Sequence, residues 1–149
     1  MVAATQTLAE FLSSALPLIE KDSISFEHPR VAHHHKPCLN LYCYHIQKSQ
    51  EPQWLDLIFL VSAIDHTVLA EQHLLSEMVT VLSGYQSLPE QVLMPELRGL
   101  GALPIQVSNQ TVPETLLLWQ VLQTPLRLSL QVTLTVPIRD RVALRLVAP

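Results

Sequence analysis

The chain has 149 residues, 48% of them hydrophobic and 15% charged, with a formal net charge of −4. That length suits one domain with a real core, and the composition excludes a disordered chain because enough apolar area is available to offset chain entropy. The negative balance and scattered cations exclude a general nucleic-acid binder, which needs clustered Lys and Arg against phosphates. No apolar run reaches the ~18–20 residues that span a bilayer, and no export signal is expected from the N-terminal stretch.

In chain order, Thr7-Leu-Ala-Glu10 reads as a capping box that opens a first helix. Leu8, Phe11, Leu12, Ala15, Leu16 and Ile19 follow at helical spacing, and Pro17 ends or kinks the helix near Ala15–Leu16. Ile24-Ser-Phe26 reads as a short edge strand, and Glu27–Pro37, rich in His and Pro, as an irregular loop. Cys38–Ile46 has strand-forming aromatics and partial alternation. Extended, it points Cys38 and Cys43 to opposite faces, which favours two reduced, buried thiols over a disulfide. Gln47–Pro52 fits a hairpin loop. It leads into Gln53–Ile64, where Leu55, Leu57, Phe59, Val61 and Ala63 form one alternating set and the opposite set is mostly apolar too. A strand greasy on both faces must be covered on both, so this one is expected at the centre of the sheet.

Asp65-His-Thr67 starts a second helix with Thr67 as N-cap. Its stripe is Val68, Leu75, Val79 and Leu82, widened by Leu74 and Met78, and Gly84 is expected as a left-handed terminator. Leu88–Gly101 reads as loops with short extended pieces, and Leu103–Val107 as a short strand. Thr111-Val-Pro-Glu114 is a second capping box with Pro113 in the first turn; it opens a third helix that includes Leu116, Leu117, Trp119 and Val121. The last strand alternates Leu126, Leu128, Leu130, Val132, Leu134 and Val136 with Arg127, Ser129, Gln131, Thr133 and Thr135, one face core and one polar. The order gives a single α+β domain with about three helices and a mostly antiparallel or mixed sheet.

Catalytic and metal chemistry find little support. Adjacent His33, His34 and His35 alternate in direction, and no Cys-x-x-Cys or His-Glu-x-x-His completes a site. His66 and His73 read as exposed helix residues. There is no Gly-x-Ser-x-Gly elbow, and Gly99-Leu-Gly101 alone makes no phosphate loop. Asp56 is the carboxylate expected to be partly buried, as a hydrogen-bonded or paired acid at a sheet edge rather than a general base. Trp54, Trp119, Tyr42 and Tyr44 lie in apolar segments and are expected in the core. No enzyme activity, metal or cofactor is expected.

Leu39-Asn-Leu-Tyr-Cys-Tyr44, Leu55-Asp-Leu-Ile-Phe-Leu-Val-Ser-Ala63, a helix with Leu74-Leu75, then Leu117-Leu-Trp119 and the strand 128–136 come in a telling order. With the early Phe26-Glu-His-Pro29, that order resembles the N-terminal domain of the cap proteins of contractile injection systems, phage-tail-like particles of the virulence-cassette and antifeeding-prophage type. The loop after Ile46 departs from that pattern: Gln47-Lys-Ser-Gln50 stands in place of an acidic-Asn-Arg cluster. The resemblance implies a tail-terminator-like fold and six copies in a ring that ends the inner tube and sheath. It further implies sheath and tube proteins and further copies of itself as partners, no nucleic acid, no membrane insertion, and a cytoplasmic place within the assembled particle.

On that reading residues 1–137 form the terminator-like domain and 138–149 a C-terminal arm. Ile138, Arg139, Arg141, Val142, Leu144, Arg145, Leu146 and Val147 are its candidate interface residues, added to a sheath subunit or a neighbouring copy. A last strand of the same sheet or a frayed tail would fit this stretch equally. Two rivals are a transient assembly adaptor of the particle and a small-ligand- or metal-binding domain using the His33–His35 loop.

Overall fold

The doubly apolar stretch does become an interior strand. In the computed structural model, which describes residues 1–31, 36–99, 101–108 and 110–138, strand β3 (Trp54–Ile64) lies between β2 (Cys38–Lys48) and β6 (Ser129–Pro137), antiparallel to both. Strand β1 (Ile24–Ser25) runs parallel to β2 at one edge. At the other side, β5 (Leu103–Ser108) pairs with β6, and β4 (Ser87–Leu88) with β5, both antiparallel. Among the described residues the sheet thus has six strands in the order β1-β2-β3-β6-β5-β4 and is mixed. Among the described residues three α-helices accompany it: α1 (Val2–Ala15), α2 (Val68–Ser83) and α3 (Val112–Val121). The single α+β domain expected from the sequence is observed.

One face of the sheet holds the main core. Leu39 and Leu41 of β2, Leu57, Phe59 and Val61 of β3, and Val132 and Leu134 of β6 are buried there. They pack with α1 and α2, each full burial of such a side chain contributing about 1.5–3 kcal/mol. The opposite face of β3 is covered as well, with Leu60, Ser62 and Ile64 buried. On that side Trp119 of α3 is buried and its indole N–H donates to Ser129 Oγ at 3.1 Å.

Helix α1 corrects the first expectation. It begins at Val2, five residues before Thr7, and its N-cap Met1 makes no side-chain capping bond. Thr7 is a fully buried interior residue whose Oγ1 accepts the Met94 N–H at 3.1 Å. The physical reason is the burial period: Ala4, Thr7, Leu8, Phe11 and Leu12 share one helical face, so the hydroxyl is turned into the fold. Glu10 instead meets Lys21 at 2.6 Å on the surface, a pair of the kind that adds little stability.

The N-cap of α2 is as expected, with Thr67 accepting the Ala70 N–H at 3.1 Å. Leu74, Leu75, Met78 and Leu82 are buried against the sheet, but Val68 is 65% exposed and does not belong to the stripe. Gly84 caps the helix with φ −77°, an ordinary right-handed conformation, so no left-handed terminator is used. Among the glycines, positive φ falls instead at Gly99 and Gly101, both +89°, in the loop before β5. The β2–β3 connection is shorter than expected because β2 runs on through Gln47 and Lys48.

The capping box of α3 is present in both directions: Glu114 N–H donates to Thr111 Oγ1 at 3.3 Å, and Thr111 N–H donates to Glu114 Oε2 at 3.2 Å. The alternation of the last strand also holds, but only from Ser129 onward. Leu126 and Leu128 precede the strand and are exposed, where the pattern placed them in the core.

Candidate interaction surfaces

The polar side chains of the central strands are held in structural bonds. Asp56 is on the interior strand β3, not at a sheet edge, and accepts the Thr135 hydroxyl at 2.8 Å. It belongs to the polar face of β6, where Tyr44 O–H donates to Gln131 Oε1 at 2.8 Å and Ser108 meets Thr133 at 3.3 Å. Burial, followed by the nearby Glu114 charge, holds the Tyr44 phenol above its ordinary pKa. Cys38 and Cys43 are not joined in a disulfide; Cys38 is buried, whereas Cys43 is half-buried and not buried as expected, and burial pushes both thiols up, away from the reactive thiolate.

His66 precedes α2, while His73 lies within it and meets Glu77 at 3.1 Å. His33, His34 and His35 lie outside the described residues. Among the described residues no three His, Cys, Asp or Glu side chains cluster as metal ligands would. The four aromatics divide: Trp119 is fully buried, and Trp54, Tyr42 and Tyr44 are half-buried.

The surface is more informative. Of the ten residues of α3, Trp119 is the buried one, while Val112 is 71%, Leu117 60% and Val121 69% exposed. The apolar exposure continues beyond the helix. A groove of about 640 Å³ is bordered by Ile64, Val68, Val112, Leu116, Leu126 and Leu128, with Asp65, Glu71, Lys36 and Arg127 also on its walls. Single exposed apolar residues are common on folded monomers, but a contiguous set of this kind marks an interaction site. The sequence reading missed it. The available signal was the run Leu116-Leu117-Leu118 beside Trp119, which leaves a short helix apolar nearly all round.

A second feature is a strand edge. β1 pairs with β2 only at Leu39 and Asn40, and Asn40 Nδ2 ties down the turn beyond by donating to Glu27 O at 2.8 Å. From Tyr42 to Lys48 no described strand pairs with the outer side of β2. The bulge between Cys43 and His45, together with Lys48, guards this row against unspecific pairing.

Of the eight predicted interface residues, Ile138 is described. It is 43% exposed, and its N–H donates to Gln53 O at 2.8 Å, extending the β3–β6 ladder by one step. The other seven, Arg139, Arg141, Val142, Leu144, Arg145, Leu146 and Val147, lie outside the described residues.

Comparison with known proteins identifies the lineage. The family model described as the Pvc16 N-terminal domain matches residues 47–148, more than half of the chain. The chain belongs to the Pvc16 N-terminal domain family. The fold is likewise similar to two structures solved by cryo-electron microscopy. One is the PVC sheath/tube terminator, in its extended state, of an extracellular contractile injection system; the TM-score is 0.65 and identity 17%, covering 94% of this chain and 57% of that one. The other is the tube-terminating cap of the anti-feeding prophage, with TM-score 0.62 and 16% identity, covering 95% of this chain and 56% of that one. The chain therefore spans a little over half the length of either terminator. No curated protein matches its sequence.

These matches bear out the family reading made from motif order, and the terminator-like α+β fold with it. The family match begins at residue 47, so Leu39–Tyr44, the first motif quoted for the resemblance, lies outside it. The fold likeness covers nearly the whole chain.

Proposed function

We propose that this protein is a terminator that caps the membrane-distal end of a phage-tail-like contractile injection particle. Six copies form a ring over the last layer of inner tube and sheath, ending polymerisation and holding the sheath extended. The observation that carries this reading is the shared fold with two solved terminators over nearly the whole of this chain. The molecule's own surface supports it: an apolar helix face is exposed among the described residues, and Tyr44 and Asp56 of the sheet serve structural bonds.

In this reading residues 1–137 are the terminator domain and residues 138–149 an arm. Ile138, Arg139, Arg141, Val142, Leu144, Arg145, Leu146 and Val147 make its contacts, as an added strand on a sheath subunit or a neighbouring copy. The protein acts without catalysis or a cofactor, within particles assembled in the cytoplasm. The test is deletion of its gene followed by electron microscopy of the particles. Tubes of uncontrolled length, or sheaths found only contracted, are expected. Extended particles of uniform, normal length would overturn the proposal.

A further inference from the structure

The α3 groove and the chain's last residues answer each other's needs. The groove is an apolar surface left open among the described residues, at the Ile64–Ser129 end of the sheet. The stretch after Pro137 carries apolar residues at every second position, Val142, Leu144 and Leu146, interleaved with Ala143 and Arg145. An extended segment of that kind presents one greasy edge and keeps its cations on the other. The groove walls carry both signs of charge, Asp65 and Glu71 against Lys36 and Arg127. The match is therefore apolar, not electrostatic.

Chain length decides whose tail fits. Ile138, the last described residue, lies beside Gln53, whereas the groove lies at the other end of β6, beside Ser129. The eight residue steps from Ser129 to Pro137 at ~3.3 Å each separate the two ends by roughly 26 Å. An extended chain covers ~3.3–3.6 Å per residue, so a tail folded back on its own molecule spends about eight residues before reaching its groove. Val142 and Leu144 then fall short. A second copy carries no such restriction. The end of the sheet at Ile138 is itself apolar and exposed at Met1, Val2 and Ile138.

We infer that the groove bordered by Ile64, Val112, Leu116, Leu126 and Leu128 receives residues 138–147 of a second copy of this chain. Donor and acceptor are different surfaces, so the contact is head-to-tail: each copy gives its tail to one neighbour and receives another, and the series closes as a ring. This rests on the self-association in the cap reading and names the surfaces that make it.

The test uses two full-length variants and light scattering coupled to size-exclusion chromatography. Leu144→Asp with Leu146→Asp spoils the tail, outside the described fold. Leu116→Asp with Leu126→Asp spoils the groove at exposed positions. The wild type is expected to self-associate, and each variant alone to do so about a hundredfold or more weakly. Mixed one to one, the variants retain one good groove and one good tail between them, so they form a 1:1 dimer that grows no further. A monomeric wild type, a variant that still assembles, or a mixture that stays monomeric would each overturn the inference. Failure of the cap reading looks different: particles of normal length without the protein, whatever the isolated chain does.

Discussion

Helices α2 and α3 are both rich in large apolar residues, yet the fold treats them oppositely. In α2 Leu74, Leu75, Met78 and Leu82 gather on one face and disappear against the sheet, and only Val68 and Leu69 of the first turn stay exposed among its large apolar residues. In α3 a single side chain, Trp119, is buried, while Val112, Leu116, Leu117 and Val121 stand exposed. An amphipathic helix has solved its burial problem inside the chain; one that is apolar nearly all round and sits on the surface has not. The first is a statement about stability and the second about a partner.

Substitutions separate the two roles. Trp119→Ala removes the anchor that holds α3 to the sheet and the hydrogen bond to Ser129, and is expected to cost about 3–5 kcal/mol in urea unfolding. Met78→Ala, at a fully buried α2 position, is expected to cost about 2–5 kcal/mol by the same measurement. Thr111→Ala breaks the capping box and should cost about 1 kcal/mol, read as a loss of thermal stability. Leu117→Ala, on the open face of α3, is expected within about 0.5 kcal/mol of wild type in the isolated protein. A large loss there would mean that α3 is held by more than Trp119, and the comparison would fail.

The smallest effect is in pH. Burial raises the thiols of Cys38 and Cys43 above their ordinary value of 9.0 in the folded state. The unfolded chain therefore gives up its protons first as pH rises. Stability is whole below pH 9.0 and declines as pH climbs past it toward the raised folded values. The urea midpoint should fall over that range, and fall less in Cys43→Ala.

What could be read in the sequence follows the range of the forces involved. The central position of β3 was legible because an alternating strand that is greasy on both faces has one kind of place to go. Thr67 and Thr111 were legible because capping is decided within one turn. Thr7-Leu-Ala-Glu10 carries the same local signal as Thr111-Val-Pro-Glu114, yet it sits inside α1. Ala3 and Ala4 let the helix start earlier, and Met94, 87 residues away, takes the hydroxyl. Gly84 likewise had the right position for a left-handed cap, but the chain leaves α2 without needing one. Asp56 was expected to be hydrogen-bonded, and it is; its partner and its interior strand were set by a register across 79 residues. The α3 surface was the least legible, because periodicity reports an apolar face without saying whether this chain or another covers it.

The most direct test of the cap is its location. Purified particles carrying an accessible tag on this chain should be labelled with gold and imaged by electron microscopy. The account predicts gold at one end only, the end away from the baseplate. Gold along the sheath, at the baseplate, or nowhere on particles whose tag is shown to be accessible would contradict it.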